Sequence, residues 1–380
     1  MPSHFTKEEL NRYSRHLILP DVGEEGQLRL KNAKVLVVGA GGLGAPLLLY
    51  LSAAGVGKIG VVDDDVVEDS NLQRQVLFTT DDIGFSKAER AKERLKKLNP
   101  HVEIIVYNTR LTSENALEII SEFEIVADGT DNFPTRYLVN DACILLNKVN
   151  VYASIFQFEG QVSVFNYSKA LDEEKPNYRD IFPEPPPPGM VPSCAEGGVL
   201  GVLPGMIGSI QANEVIKIII GIGDILSGKL LILDALTMET RIISFDIPDQ
   251  RTSIEHLIDY EDFCNIEASK DDPQKMNELT VTEFKALIDS GEAYQLIDVR
   301  EPHEFEIAEM GGILIPMGQI PEHINDISKD IKVVFHCRSG VRSAQVINYL
   351  QQNHRFNNLY NLKGGILAWS DKIDNSVAKY

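Results

Sequence analysis

The chain has 380 residues, 43% of them hydrophobic and 24% charged, which suits about two or three globular domains and excludes disorder throughout. Its formal net charge of −20 would repel nucleic acid and anionic membranes over most of the surface, so neither is an expected partner. Residues 1–16 are polar and the apolar stretch 199–210 is broken by Pro204, so no signal peptide or membrane span is read, while four scattered cysteines (Cys143, Cys194, Cys264, Cys337) point to reduced thiols and a cytoplasmic location.

Residues 34–38 are an apolar run ending in Gly39-Ala-Gly-Gly-Leu-Gly44, and 45–54 are apolar all round, the pattern of a buried strand, a tight turn and a buried helix. A second strand follows over 58–63. Ser86 can cap a charged helix that reaches Leu98. Strands at 102–107 and 124–128 alternate with a helical stretch near 113–121, and this alternation predicts a mostly parallel, Rossmann-like α/β sheet with crossover helices.

From residue 149 the pattern changes. Strands at 149–153, 161–165, 230–234 and 240–245 lack helices between some of them, which predicts an antiparallel extension with a helix over 202–220 packed nearby. Residues 168–198 are polar and then proline-rich and read as a long mobile loop over a working surface. Residues 248–277, charged and weakly periodic, read as a linker between domains at 1–247 and 278–380. The second, smaller α/β domain is predicted from a helix after Thr282, strands at 294–298, 332–336 and 358–362, and a helix over 342–352.

Gly39, Gly41 and Gly44 fit G-x-G-x-x-G, where missing side chains let backbone N–H groups at a helix N-terminus approach phosphate. Asp63, about 20 residues on, stands where a carboxylate accepts ribose hydroxyls. These features suit NAD as well as ATP. The segment from Asp63 through Asp65 to Asn71 and Arg74 adds acids, an amide and a cation, a set without evident use in hydride transfer but suited to cleaving ATP between its α and β phosphates. Lys87 at a helix start, and Asp131 and Asn132 after the strand 124–128, complete it.

With the motifs GAGGLG, SNLQRQ, the GxxK of 84–87 and GTDN, residues 5–247 resemble the MoeB/ThiF/HesA family, relatives of the ubiquitin-activating enzymes. The resemblance implies that Gly42 touches the nucleotide phosphates, Asp63 the ribose, Asn71, Arg74 and Lys87 the phosphates, and Asp131 the magnesium. Arg15 matches an arginine that reaches the partner subunit's ATP, which implies a homodimer. The cofactors implied are ATP and Mg2+. Taken singly, the glycines could serve a dinucleotide turn, and Arg74 and Lys87 could be solvated charges.

Many members of this family hold zinc on two C-x-x-C pairs. Here the first pair's position reads Asn177-Tyr-Arg-Asp180 and no cysteine occurs over 195–263, so no zinc is expected and some other packing should replace it. Cys194, at the end of the proline-rich loop, matches a family cysteine of thioester or persulfide chemistry; the alternative is a passive loop thiol. Cys143 reads as a small buried hydrophobe and Cys264 as incidental.

Cys337-Arg338-Ser339-Gly340-Val341-Arg342 follows the strand 332–336 and opens a helix, so the cysteine sits among backbone N–H groups at a positive helix end, which favours the thiolate. The loop is one residue shorter than a cysteine phosphatase needs to enclose phosphate, and suits a sulfur atom. With the Asp298-Val-Arg300 and LKGG motifs, residues 278–376 resemble a rhodanese domain. The resemblance implies a persulfide on Cys337, donors to its terminal sulfur from Arg338 to Arg342, and a brace from Asp298 and Arg300; His303 reads as a surface residue.

Together these readings predict an adenylyltransferase and sulfurtransferase. It would adenylate the C-terminal glycine of a ubiquitin-like sulfur carrier ending in Gly-Gly and form a thiocarboxylate for molybdopterin or thiamine synthesis, with a cysteine desulfurase or thiosulfate as sulfur donor. The alternatives are activation for tRNA thiolation, and a non-catalytic NAD-binding scaffold whose second domain merely docks partners.

Overall fold

In the computed structural model, residues 4–169, 174–186, 197–265 and 276–380 are described. They fall into two compact units, one ending at Asn265 and one spanning 276–380. Among the described residues no helix is long and apolar enough to cross a membrane.

The first unit opens with helices α1 (Lys7–Arg12), α2 (Ser14–Leu17) and α3 (Gly23–Asn32) and continues as β1 (Lys34–Val38), α4 (Gly44–Ala54), β2 (Lys58–Val62), α5 (Lys87–Leu98) and β3 (Glu103–Tyr107). Then come α6 (Ala116–Ser121), β4 (Ile125–Asp128), α7 (Phe133–Leu145), β5 (Val149–Phe156), β6 (Glu159–Phe165), α8 (Leu203–Ile220), β7 (Lys229–Asp234), β8 (Thr240–Ser244) and α9 (Tyr260–Asn265). The strands form one eight-stranded sheet in the order β3-β2-β1-β4-β5-β6-β7-β8. The five strands from β3 to β5 run parallel and the last three pair antiparallel. The expected parallel sheet with an antiparallel extension is therefore what forms.

Local signals set the element ends. Ser86 Oγ accepts from Glu89 N at 3.4 Å to cap α5, and Asn132 Oδ1 accepts from Thr135 N at 2.9 Å to cap α7. Helix α4 stops at Gly55, which adopts a left-handed φ of 85° that a side chain would resist. Leu47, Leu51, Val151, Ile207 and Val215 pack one face of the sheet, and Phe123, Tyr137, Leu138 and Tyr152 pack the other. The central strands β1, β2 and β4 are buried on both sides, which explains their unbroken apolar runs.

The stretch read as a linker, 248–277, is built into this unit as far as Asn265. Leu257, Ile258 and Phe263 join the apolar cluster around Tyr137, and Tyr260 Oη donates to the buried Asp141 at 2.7 Å. Asp141 also takes the Arg179 guanidinium at 2.9 and 2.7 Å. Charged composition hid this packing, because a few apolar residues among many acids suffice to dock a short helix. The loop reading of 168–198 falls partly outside the described residues; within them, Tyr178–Asp180 form a 3-10 turn with Tyr178 in the core.

The second unit contains β9 (Asn277–Thr280), α10 (Val281–Ser290), β10 (Tyr294–Asp298), α11 (Pro302–Ile307), β11 (Ile313–Leu314), β12 (Lys332–His336), α12 (Val341–His354), β13 (Leu359–Lys363) and α13 (Gly365–Lys372). Its five strands are all parallel, in the order β11-β10-β12-β13-β9. Thr280 caps α10, with a reciprocal bond from Glu283, next to the expected start at Thr282. Phe335, Ile347 and Leu350 fill one face of the sheet, and Phe284, Val334 and Trp369 the other.

Candidate active sites in the two units

In the first unit a cavity of about 340 Å³ opens at the carboxyl ends of β1, β2 and β4, where open α/β sheets bind ligands. Its lining includes Gly39, Gly41, Gly42, Asp63, Asp65, Arg74, Lys87, Asp131 and Asn132, so most of the nucleotide residues expected from sequence converge. Gly39 has a φ of 90°, and a Cβ on Gly44 would lie 1.9 Å from the Gly39 oxygen. Gly44 is thus required for the close approach of helix and turn, while Gly41 and Gly42 face the cavity.

Asp63 organises the turn: Oδ2 accepts from Ala40 N at 2.7 Å and Oδ1 from Asp65 N at 2.9 Å. Burial raises the pKa of its carboxyl, against the pull of those N–H bonds and of Lys87. Lys87 is itself buried and holds Asp65 at 2.9 Å, with Asp65 otherwise exposed. Arg74 Nη1 donates to Ser70 O at 3.0 Å, which directs its guanidinium from the 3-10 turn. The walls therefore pair carboxylates with cations around a turn rich in N–H groups.

Three expected residues have other settings. Asn71 is buried and does not line the cavity; its Oδ1 accepts from Glu68 N at 3.2 Å and closes the turn that carries Arg74. Arg15 is exposed on α2, also away from the lining. Cys194 lies outside the described residues. The lining also brings in Asp64, Arg110 and Arg136, to which the motifs gave no role. Arg136 stands one helical turn after Asn132 and donates to Thr130 O at 3.3 Å, a spacing from GTDN that could have marked it. Burial raises the pKa of the Cys143 thiol and pushes that of Cys264 up to about 11, so both are poor nucleophiles.

At Asn177–Asp180, where the sequence resemblance raised the question of zinc, an ion pair closes the fold. Arg251 Nε donates to Asp180 Oδ1 at 2.9 Å, Nη2 bonds Oδ2 and also donates to Lys175 O at 2.9 Å. Asp180 further accepts from Asn177 N at 2.7 Å.

In the second unit, Cys337 follows β12 and is 1% exposed. Its Sγ accepts from Gly340 N at 3.1 Å and from Ser343 Oγ at 3.6 Å. Gly340, at a φ of 98°, turns the loop into α12. The loop carbonyls point the other way: Ile366 N donates to Cys337 O at 3.0 Å and Leu367 N to Arg338 O at 3.2 Å. A Cβ on Gly365 would come within 2.4 Å of Cys337 O, so the second glycine of the LKGG motif permits this contact. Ser339 and Val341 belong to the same loop, Val341 opening α12.

Asp298 and Arg300 are fully buried against each other, with bonds of 2.9 Å from Nε and 2.5 Å from Nη2. Arg300 Nη2 also donates to Ala308 O at 2.8 Å, so the pair ties the two segments that flank α11. Arg342 does not turn its guanidinium to the sulfur; Glu304 holds it at 2.6 and 2.7 Å. Burial alone would raise the Glu304 pKa, but Arg342, the Glu301 N–H and Arg300 together outweigh it and keep the carboxyl below its ordinary range. Glu304 lies four residues beyond Arg300, and its partnership with Arg342 is visible only in three dimensions.

Comparison with known proteins gives the family of each unit. The ThiF family pattern matches residues 13–254 and the rhodanese-like domain pattern residues 280–372. The chain is 47% identical to the probable adenylyltransferase/sulfurtransferase MoeZ of Mycobacterium tuberculosis, covering 100% of this chain and 97% of that one. It is 55% identical to the sulfur carrier protein adenylyltransferase of Thermus thermophilus over 69% of this chain and 99% of the relative. The solved structure of E. coli MccB with ATP shares the fold at a TM-score of 0.54 and 21% identity, over 66% of this chain and 76% of that one. The chain belongs to the ThiF family and carries a rhodanese-like domain behind its adenylyltransferase unit.

Proposed function

We propose that this chain adenylates the C-terminal glycine of a small ubiquitin-like sulfur carrier ending in Gly-Gly, and delivers to it sulfur held as a persulfide on Cys337. The observation that carries this reading is the cavity beside the Gly39–Gly44 turn, whose carboxylates and cations suit a nucleotide triphosphate. A carrier carboxylate oxygen bonds the α phosphorus and pyrophosphate leaves. Arg74 and Lys87 stabilise the charge that builds on the phosphates, and Asp63 holds the ribose. Asn71 acts on the phosphates through the turn that aims Arg74.

Asp131, exposed at the cavity rim, and the neighbouring Asp64 or Asp65 offer the one or two carboxylates that magnesium uses alongside substrate phosphates. Bound there, the ion would neutralise phosphate charge. Arg15, exposed on α2, would reach the nucleotide of a second copy in a homodimer.

In the second unit the Gly340 N–H and the Ser343 hydroxyl stabilise the sulfur on Cys337. Its terminal sulfur displaces AMP from the acyl-adenylate. A thiol, for which Cys194 is the candidate, then cleaves the S–S bond, forming a disulfide with Cys337 and releasing the thiocarboxylate. A dithiol reductant returns this disulfide to two thiols, after which Cys337 takes the outer sulfur of thiosulfate with loss of sulfite, or that of a cysteine desulfurase persulfide; the acidity of the chain suits a protein carrier in the cytoplasm rather than nucleic acid or a membrane.

The test supplies ATP, magnesium and a Gly-Gly carrier and follows carrier-dependent exchange of labelled pyrophosphate into ATP. Exchange that requires the carrier is expected, and its absence in folded protein refutes the activation step. Thiosulfate and cyanide should give thiocyanate in a reaction that Cys337→Ala abolishes; an undiminished rate in that variant removes Cys337 from its role.

A further inference from the structure

Asn361 places an amide inside the second unit. It stands on β13 in register with Phe335 of β12, two residues before Cys337, and is 4% exposed. An amide so buried destabilises the fold unless its polar atoms are bonded, and here both bonds go to the structure around the sulfur. Asn361 Nδ2 donates to Gly340 O at 3.0 Å, and Oδ1 accepts from Ser343 Oγ at 2.7 Å. Gly340 and Ser343 are the residues that donate to Cys337 Sγ, from Gly340 N at 3.1 Å and from Ser343 Oγ at 3.6 Å.

The Gly340 carbonyl can only accept, so the amide nitrogen faces it and the amide oxygen faces the hydroxyl. Ala344 N also donates to Gly340 O at 3.3 Å, a bond within the helix to which Asn361 adds one across the fold. Gly340 lies close against β13 as well: a Cβ there would be 3.2 Å from Leu362 O and from Gly364 N. Ser343 has one hydroxyl proton for two acceptors. While Sγ is bonded to a second sulfur, Asn361 Oδ1 is the nearer and stronger acceptor. Helical serine hydroxyls otherwise turn to the carbonyl one turn back, and the Asn361 bond keeps this one beside the sulfur. When a cyanide carbon bonds the outer sulfur, the S–S bond breaks and its electron pair returns to Sγ. A rotation of the hydroxyl then brings its proton to the thiolate.

We propose that Asn361 is a positioning residue for sulfur transfer: its amide holds Gly340 and the Ser343 hydroxyl where both donate to Cys337 Sγ as the outer sulfur departs and the thiolate forms. The proposal rests on the reading of Cys337 as the sulfur-carrying residue.

The experiment uses the full chain as wild type, Asn361→Leu, Ser343→Ala, the Ser343→Ala/Asn361→Leu double variant and Leu359→Ala, which cuts an apolar core residue from the same strand. Mass spectrometry of the Cys337 peptide after thiosulfate shows whether one sulfur has been added. Thiocyanate formation with each substrate varied in turn gives kcat/KM for cyanide, which reports discharge, and for thiosulfate, which reports loading. Asn361→Leu should lower kcat/KM for cyanide by about tenfold or more, and Ser343→Ala by about fivefold. The double variant should stay within about twofold of Asn361→Leu, because one residue acts through the other. Loading should fall by only about threefold, since a thiolate with fewer donors is scarcer but more nucleophilic. Leu359→Ala should keep kcat/KM for cyanide within about twofold of wild type.

A value for cyanide in Asn361→Leu within about twofold of wild type overturns the proposal. So does an equal loss for both substrates, or a Leu359→Ala as slow as Asn361→Leu, each of which marks a loosened unit rather than displaced donors. A loss in the double variant equal to the product of the single losses also overturns it. If Asn361→Leu does not fold, an unchanged value for cyanide in Ser343→Ala refutes it independently. Absence of the added sulfur from Cys337 in wild type defeats the reading of that cysteine; sulfur present with the cyanide values unmoved defeats only the role of Asn361.

Discussion

Replacing His336 with phenylalanine removes a titratable group from the interior of the second unit, directly before Cys337. The ring is fully buried, neither nitrogen has a hydrogen-bond partner among the described residues, and Nε2 lies 3.6 Å from Asp298 Oδ2. Burial disfavours the imidazolium, the Asp298 carboxylate opposes this only in part, and the pKa drops from 6.5 to about 4. The folded state thus keeps the ring neutral over a range in which the unfolded chain takes up a proton. The stability so contributed is fully present above the unfolded pKa of 6.5 and is lost as the pH falls toward about 4.

At a pH of about 5 the loss amounts to about 2 kcal/mol, a large share of the stability of an ordinary domain. Phenylalanine fills similar space and binds no proton. Urea unfolding followed by the fluorescence of Trp369, the chain's single tryptophan, reports on this unit. Between pH values of about 7.5 and 5, His336→Phe should lose about 2 kcal/mol less stability than wild type. Acid effects at other groups, such as the Glu304 carboxyl held low by Arg342, occur in both proteins and cancel in the difference. Equal losses in the two proteins would refute the reasoning.

Lys87→Met should lower the rate of carrier-dependent pyrophosphate exchange by about 100-fold or more, because it deletes a buried cation from a water-poor phosphate site. The same variant removes one of the influences that lower the Asp63 pKa, so the acid limb of the exchange profile should move to higher pH; an unmoved limb counts against their coupling. Arg251→Met leaves Asp180, with a side chain 2% exposed, without its guanidinium, and should destabilise the first unit by about 3 kcal/mol in thermal unfolding. A metal chelator should leave the unfolding midpoint of wild type in place, since this ion pair closes the fold without a metal.

The parts of the fold that follow from one-dimensional patterns were legible. The apolar run over 34–38, the glycines after it and the helix cap at Ser86 each act through neighbours in sequence, and the elements formed where they point. Of the site residues carried by the motifs, Asp63, Lys87 and Asp131 converge for the same reason, each standing just after a parallel strand or at the start of a helix, while Arg74 follows the 3-10 turn. Pairings across the fold had no such signature. Glu304 with Arg342, Asp180 with Arg251 and Tyr380 with Arg338 link residues separated by 38, 71 and 42 positions, and a charged residue looks alike in sequence whether solvent or a partner awaits it. The docking of 257–264 on the first unit was hidden likewise, since its few apolar side chains sit among acids.

The two units solve related problems with one device and different dimensions. Each places its chemistry after a parallel strand, in a glycine turn that leads into a helix and presents N–H groups to negative charge. In the first, the Gly39–Gly44 turn is backed by Gly129 and opens on a cavity of about 340 Å³, wide enough for several phosphates and lined by cations that follow their charge. In the second, the N–H group of Gly340 lies 3.1 Å from one sulfur atom, and the contact of Gly365 with Cys337 O keeps the loop tight behind it. Arg342, which in a wider loop could close over a phosphate, is committed to Glu304. The short turn of the second unit thus meets a single sulfur, and the arginine of the helix that follows it serves the framework.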